Sequence, residues 1–405
     1  MRTSPAARGF WLIAYVFTAT VASSTLPTPL YPLYQRADDF GALMVTVVFA
    51  VYAIGVLGAL FLGGHLSDWV GRKRMLAFAL LSGMASSATF ALSAAVPALM
   101  AGRVLSGVSV GLVTATATAH LADLHGRARP GGSLRRAEVV ATATNLGGLG
   151  LGPVISGLLA EHTSAPLRVP YAVSLVLLAI GLAALPFVPE TVARPDPRPA
   201  YRPQRMNVAA EHRNTFTAAA LSSVVAFALF GLFTSLAPVL LSTLFHAGSR
   251  IVAGLAVFLV FGSAAAAQVP LHRLAARRQL TGGLLVMAAG IVGLAVAVAL
   301  RSLPLFLVAG AVAGAGAGIT FKGSMTTVLA TAAAHRRGET AAALFLIAYL
   351  GLSLPVLGLG LATQVLPVTI ALYAFSVVLL LPLMFAGRRV VTAPSPSLSP
   401  ESVGR

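Results

Sequence analysis

Twelve apolar runs, each long enough to cross a bilayer as a helix, leave this chain of 405 residues few ways to fold. They occupy residues 9–33, 41–62, 75–92, 98–121, 139–159 and 171–188. After a polar stretch come 216–244, 252–271, 280–300, 303–334, 341–361 and 368–385. In hydrocarbon every backbone N–H and C=O must be satisfied internally, so runs of this length predict helices. Composition agrees, with 57% hydrophobic and 10% charged residues, far below the charge of a soluble domain. That balance excludes a water-soluble enzyme. The chain has no cysteine, which excludes disulfides, thiolate chemistry and Cys-ligated metals. Its eight histidines form no HxxxH or HExxH pair, so neither a metal site nor a cofactor is expected.

The net charge of +17 would suit a nucleic-acid binder, but its placement says otherwise. Alternate loops collect 22 of the 28 Lys and Arg, among them Arg72–Arg74, Arg127, Arg129, Arg135 and Arg136. The opposite loops hold four, Arg36, Arg168, Arg250 and Arg301, and Arg103 and Lys322 fall within apolar runs. By the positive-inside rule this split predicts both termini in the cytoplasm. The basic excess is topology, and no nucleic-acid partner is expected. The first run is too long for a signal peptide, and its prolines precede a loop rather than a small-residue cleavage site.

The longest polar segment follows the sixth span, with five arginines and five prolines between Pro189 and Arg213. It predicts four regions: a six-helix bundle over 1–190, a cytoplasmic linker over 191–213, a second six-helix bundle over 214–388, and a disordered Pro/Ser-rich tail over 389–405. The halves also match each other. Pro97, Gly107 and Gly111 recur at one constant offset as Pro304, Gly314 and Gly318, and Pro153 has a counterpart in Pro355. Repeats of whole bundles mark secondary transporters that rock two halves around a central site.

The loop after the second span reads Gly64-His-Leu-Ser-Asp68-Trp-Val-Gly71-Arg72-Lys73. It resembles the signature of the major facilitator superfamily, Gly-x-Leu-Ala/Ser-Asp-Arg-x-Gly-Arg-Arg, departing at Trp69 where a base is usual. The resemblance implies two pseudo-symmetric six-helix bundles that alternate access to a midplane site. It also implies a cytoplasmic gate in which Asp68 faces the start of the eleventh helix near Glu339 and Arg72 pairs with Asp123. In the fourth span, Arg103 followed by Gly107 and Gly111 resembles the family's second motif. An arginine in an apolar helix is a functional candidate by default, although its height near the outer end leaves snorkelling as the bland alternative. The fifth span, with Asn145, Gly147, Gly148, Gly150, Gly152, Pro153 and Gly157, resembles the antiporter motif Gly-x-x-x-Gly-Pro-x-x-Gly-Gly, with Ser156 in place of one glycine. In that family the motif marks exporters more often than importers, so the resemblance, to the twelve-helix drug:proton antiporters in particular, implies efflux.

Lys322 is one of two lysines, and the sequence allows it either a pocket or an interfacial position. All eleven carboxylates fall in loops or at span ends, so proton coupling has no midplane carrier; Glu138 and Glu161, at the ends of the fifth span, are the nearest. Arg103 and Lys322 suit an anionic or neutral substrate, with Asn145 on the same pathway. Tyr52, Phe227, Phe230, Phe233, Phe345 and Tyr349 are candidate pocket aromatics, though helical spacing also fits packing. The expectation is a monomeric inner-membrane transporter, not an enzyme, that exports a small amphipathic or anionic compound, with protons as the candidate coupling ion. An uptake permease for a small organic anion and a non-transporting receptor on the same fold are the alternatives.

Overall fold

In the computed structural model, residues 4–63, 66–192, 212–270, 274–332 and 337–392 are described, and all their regular elements are helices. In chain order they are α1 Pro5–Thr25, α2 Tyr31–Asp38, α3 Ala42–Gly63, α4 Ser67–Val70, α5 Arg72–Leu92, α6 Val96–Ala128, α7 Arg135–Glu161 and α8 Val169–Ala184. The second half comprises α9 Arg213–Ser235, α10 Ala237–Leu244, α11 Arg250–Gln268, α12 Ala276–Ala299, α13 Leu303–Thr331, α14 Arg337–Ala362 and α15 Val368–Thr392. Twelve of the resulting spans are long and apolar enough to cross a membrane.

Starts and stops follow local chemistry. Ser4, Ser249 and Ser302 cap α1, α11 and α13 with their hydroxyls, and prolines in the first turn open α1, α6, α8 and α13. The fourth span, expected over 98–121, runs to Ala128 because Asp123, His125 and Arg127 extend the helix at the basic end. The tail expected from residue 389 is helical through Thr392. Arg388 and Arg389 suit a helix C-terminus, and Pro394 lies just beyond.

Two spans expected to be continuous are broken, and in corresponding places. The first halts at Thr25, passes through a 3₁₀ turn over Thr28–Leu30 and resumes as α2, because Pro27, Pro29 and Pro32 remove three backbone donors. The seventh halts at Ser235 and resumes as α10, with Pro238 in its first turn. Pro238 leaves the Thr234 carbonyl without its N–H four residues on, and the Thr28 hydroxyl supplies that bond at 3.0 Å. One break is therefore completed by the other, at the end of the molecule opposite the arginine-rich loops.

The two halves meet along α7 with α11 and α3 with α14. A shift by six spans turns the first pair into the second, which is the contact pattern of two pseudo-symmetric bundles. Glycines set these approaches. Gly150 lies against Phe258 and Phe261, Gly157 against Arg250, Gly254 against Pro153, and Gly360 against Thr46. Gly148 and Gly152 bring α1 equally close to the other face of α7.

A Cβ at Gly254 would strike the backbone of Pro153, whereas one at Gly282 meets open space. Gly254→Val is expected to cost about 1–3 kcal/mol by overpacking and to lower the melting temperature of the purified protein by several degrees. Gly282→Ala leaves it level or slightly higher. An unaltered melting curve for Gly254→Val contradicts this packing.

Candidate functional site

A cavity between the halves has a volume of about 130 Å³, room for roughly ten waters at 10–15 Å³ each. Its walls differ in kind. The first half contributes Ser24, Thr25, Thr28, Arg103, Thr114 and Asn145, with Phe49, Tyr52 and three aliphatic side chains. The second half contributes Phe227, Phe230, Phe261, Phe321, Phe345 and Tyr349, alongside Thr234, Gln268, Gly318 and Leu352. Phe230 stacks on Phe261 at 4.7 Å, and Phe227 meets Phe321 and Tyr349 edge-on at 4.9 and 5.5 Å. Tyr52 and Tyr349 bring their hydroxyls together across the two halves. One wall is polar and basic; the other is aromatic. A larger groove between α12 and α15, of about 510 Å³, has Thr281 and Arg388 as its polar residues and carries exposed Leu285 and Met384. It belongs to the outer surface.

Arg103 is 2% exposed, so it does not snorkel. Its Nη1 donates to the Ser24 carbonyl at 2.8 Å and its Nη2 to the Tyr31 hydroxyl at 2.5 Å. Ser24 is in the last turn of α1, where carbonyls lose their helical partners and the dipole presents partial negative charge. The proline break thus creates the acceptor that holds the guanidinium. The rings of Tyr31, Phe49 and Phe90 lie 5.4–6.0 Å from it. Its Nε has no partner, nor does the Thr114 hydroxyl on the same cavity wall. No carboxylate among the described residues pairs with it.

The remaining pathway candidates divide. Tyr52, Asn145, Phe230 and Tyr349 line the cavity, as do Phe227 and Phe345. Phe233 instead packs on Phe306, 5.5 Å between ring centres. Lys322 is not in the lining. Its Nζ donates to the Gln268 carbonyl at 3.0 Å, satisfying the C-terminus of α11 towards the basic end. Tyr31, Ser24 and Gln268 were not singled out in the sequence. Tyr31 was visible as a hydroxyl among prolines, but its partner stands in another span.

At the basic end, Asp68 lies in the one-turn helix α4, exposed, with Arg72 Nη1 2.7 Å away. Arg72 Nε lies 3.4 Å from Asp123, and its Nη1 donates to Ser67. Glu339 occupies the first turn of α14, and among the described residues no ion pair joins it to this cluster. Gly64 lies outside the described residues. Gly71 has φ +104°, a conformation that suits glycine, and so offers no capping side chain to α5. Glu190, beyond α8, supplies the cap, accepting from the N–H groups of Arg72 and Lys73 at 3.1 Å each. Arg127 holds the Glu190 and Thr191 carbonyls, the Thr191 hydroxyl donates to Asp123, and the Lys73 ammonium donates to the Pro186 carbonyl. The start of the central linker is thereby fastened to the signature loop.

Burial opposes the charge on Glu190, but four backbone N–H bonds, from Lys73, Thr191, Val192 and Arg72, outweigh it and hold its carboxyl below the usual range. A depressed carboxyl stabilises the fold above its unfolded value and loses that contribution as pH falls through the folded one. Glu190→Gln is therefore expected to lower the melting temperature by a few degrees at neutral pH. The gap closes as pH drops below the ordinary carboxylate range. A gap independent of pH contradicts the cap.

Comparison with known proteins places this geometry. The sequence profile of the Major Facilitator Superfamily matches residues 12–356. "Major facilitator superfamily domain-containing protein 10" of Bos taurus is 32% identical over 182 residues, 40% of this chain and 37% of that protein. The "Uncharacterized MFS-type transporter YceJ" of Bacillus subtilis (strain 168) is 28% identical over 188 residues, 46% of this chain and 47% of its own. The matched stretches thus span under half the length of these relatives. The crystal structure of the human organic anion transporter MFSD10 (TETRAN) superposes with TM-score 0.69 at 19% identity, covering 95% of this chain and 100% of that one. A bacterial homologue of the human lysosomal transporter Spinster, inward-facing and unoccupied, gives TM-score 0.70 at 14% identity, covering 98% and 100%. At these identities the structures speak for the fold alone. With twelve membrane-length helices in two matched bundles and the family profile across most of its length, the chain belongs to the major facilitator superfamily of transporters.

Proposed function

We propose that the protein exports a small amphipathic organic anion across the cytoplasmic membrane by alternating access, as a monomer with both termini and the basic end in the cytoplasm. The single observation behind this reading is Arg103, a buried guanidinium with an unpartnered Nε, set in one wall of a cavity whose other wall is aromatic. A carboxylate or sulfonate would complete that nitrogen while an apolar body rests on Phe227, Phe230 and Phe345. The solved human relative is described as an organic anion transporter, which agrees with the charge Arg103 would receive. Export rather than uptake is favoured by the Gly148–Gly157 motif of α7.

The alternation has two ends to work with. At the far end, Thr28 bonds Thr234 across the halves. There the Arg250 guanidinium also lies 3.6 Å from Glu161, whose carboxylate accepts the Arg250 N–H. At the basic end, Asp68, Gly71, Arg72, Lys73 and Asp123, with Gly64 before them and Glu339 at the start of α14, form the gate in this reading. Lys322 stands near that end as a helix cap, where it would meet an anion on its way in or out. Proton coupling, which the resemblance suggests, is the competing mode and would fall to Glu138, in the first turn of α7 and outside the Glu161–Arg250 pair.

The test is accumulation of an anionic amphipathic dye in cells stripped of their own exporters. Wild type is expected to lower accumulation several-fold, and both Asp68→Asn and Arg103→Gln to restore it, while neutral dyes respond to neither. Raised accumulation with wild type turns the reading to an uptake permease. A level unchanged for every compound turns it to a non-transporting receptor.

A further inference from the structure

We infer that this carrier is an obligatory exchanger of monovalent anions: its central site closes and reorients only with an anion on Arg103, so one anion leaves only as another returns. The inference rests on the reading of Arg103 as the anion site and adds the mode of transport.

The charge balance of the membrane interior carries it. A guanidinium carries a full positive charge in proteins. What surrounds that of Arg103 is neutral: the Ser24 carbonyl, the Tyr31 hydroxyl and three aromatic rings. The C-terminus of α1 offsets about half a charge at most. The eight described carboxylates all sit at span ends or in loops. Asp38 accepts the N–H of Val96 at 2.8 Å, Asp39 follows α2, Asp68 and Asp123 hold Arg72, Glu161 holds Arg250, and Glu190 caps α5. Glu138 and Glu339 occupy the first turns of α7 and α14 at the basic end. Among the described residues none forms an ion pair with Arg103, and each sits at a span end or has a partner there, so no described carboxylate neutralises it when the site closes without cargo.

A carrier must pass through a state closed to water on both sides. With the cavity closed and empty, the net positive charge is left in a dry, aromatic-walled space, which is costly. With a monoanion bound, the charge–charge attraction is realised in a medium where it is strong, and the unpaired Nε is completed. The loaded form therefore crosses fast and the empty form slowly, and net transport gives way to exchange. The charge ledger of the cycle closes. One negative charge moves out and one moves in, no proton is taken up or released, and no net charge crosses.

Wild-type protein in proteoliposomes decides the matter, with a radiolabelled aryl carboxylate inside and binding of that carboxylate measured separately by calorimetry. Four outside conditions are compared: the same carboxylate unlabelled, mannitol in zwitterionic buffer, mannitol with an imposed pH gradient, and the carboxylate with a potassium–valinomycin potential. Efflux is expected to be at least tenfold faster with carboxylate outside than with mannitol, and unchanged by either gradient. Equal efflux into mannitol overturns exchange and leaves the anion site standing. Acceleration by the pH gradient into mannitol overturns it in favour of proton antiport. Binding without efflux in any arm overturns exchange, and absence of binding as well overturns the anion-site reading beneath it.

Discussion

A full positive charge inside a bundle of apolar helices is expensive unless something meets it, and most of what is distinctive here is arranged around Arg103. The guanidinium is reached by a carbonyl that is available only because α1 stops at Thr25, and α1 stops because three prolines follow within seven residues. The same break turns the chain so that Tyr31 presents its hydroxyl to the second nitrogen and Thr28 completes the corresponding break in the other half. One local rule, that proline donates no backbone hydrogen bond, thus supplies both the cradle of the site and a tie between the halves.

The cavity and the basic end are joined by rigid helices. α6 carries Arg103 in its first turns and Asp123 in its last ones, so a rotation of this helix moves both together. Asp123 is in turn held to the signature loop through Arg72 and to the linker through Thr191. Glu190 fastens the linker to the start of α5. In the proposed function, neutralising Arg103 in the cavity and rearranging the loop at the basic end are therefore events on one continuous element, which is the physical content the proposal gives to coupling between cargo and gate.

The spans, their number and the repeat were legible in the sequence because hydropathy and backbone satisfaction act locally and each run reports itself. Arg103 was legible as a candidate for the same reason, since a charge in an apolar run is conspicuous. Its depth was not. Counting residues from Pro97 placed it within reach of the outer interface, whereas Tyr31, Phe49 and Phe90 from three other elements close over it. The breaks at Pro27–Pro32 and Pro238 were hidden because apolar composition runs through them. Glu190 looked like the first polar residue of a linker, and only the approach of the chain beyond α8 to the start of α5 makes it a cap. Lys322 was conspicuous by rarity, but its bond to Gln268 depends on where α11 ends, which no periodicity in α13 reports.

The central claim is that Arg103 reads negative charge on the cargo. Calorimetric titration of the purified protein in nanodiscs with an aryl carboxylate and with its uncharged carboxamide tests it most directly, repeated on Arg103→Gln, which keeps a donor for the Ser24 carbonyl. Wild type is expected to prefer the carboxylate by at least about tenfold, roughly 1.4 kcal/mol. The variant should bind both equally, with carboxamide affinity unchanged. Equal binding of the two compounds by wild type, or a preference that survives Arg103→Gln, contradicts the account.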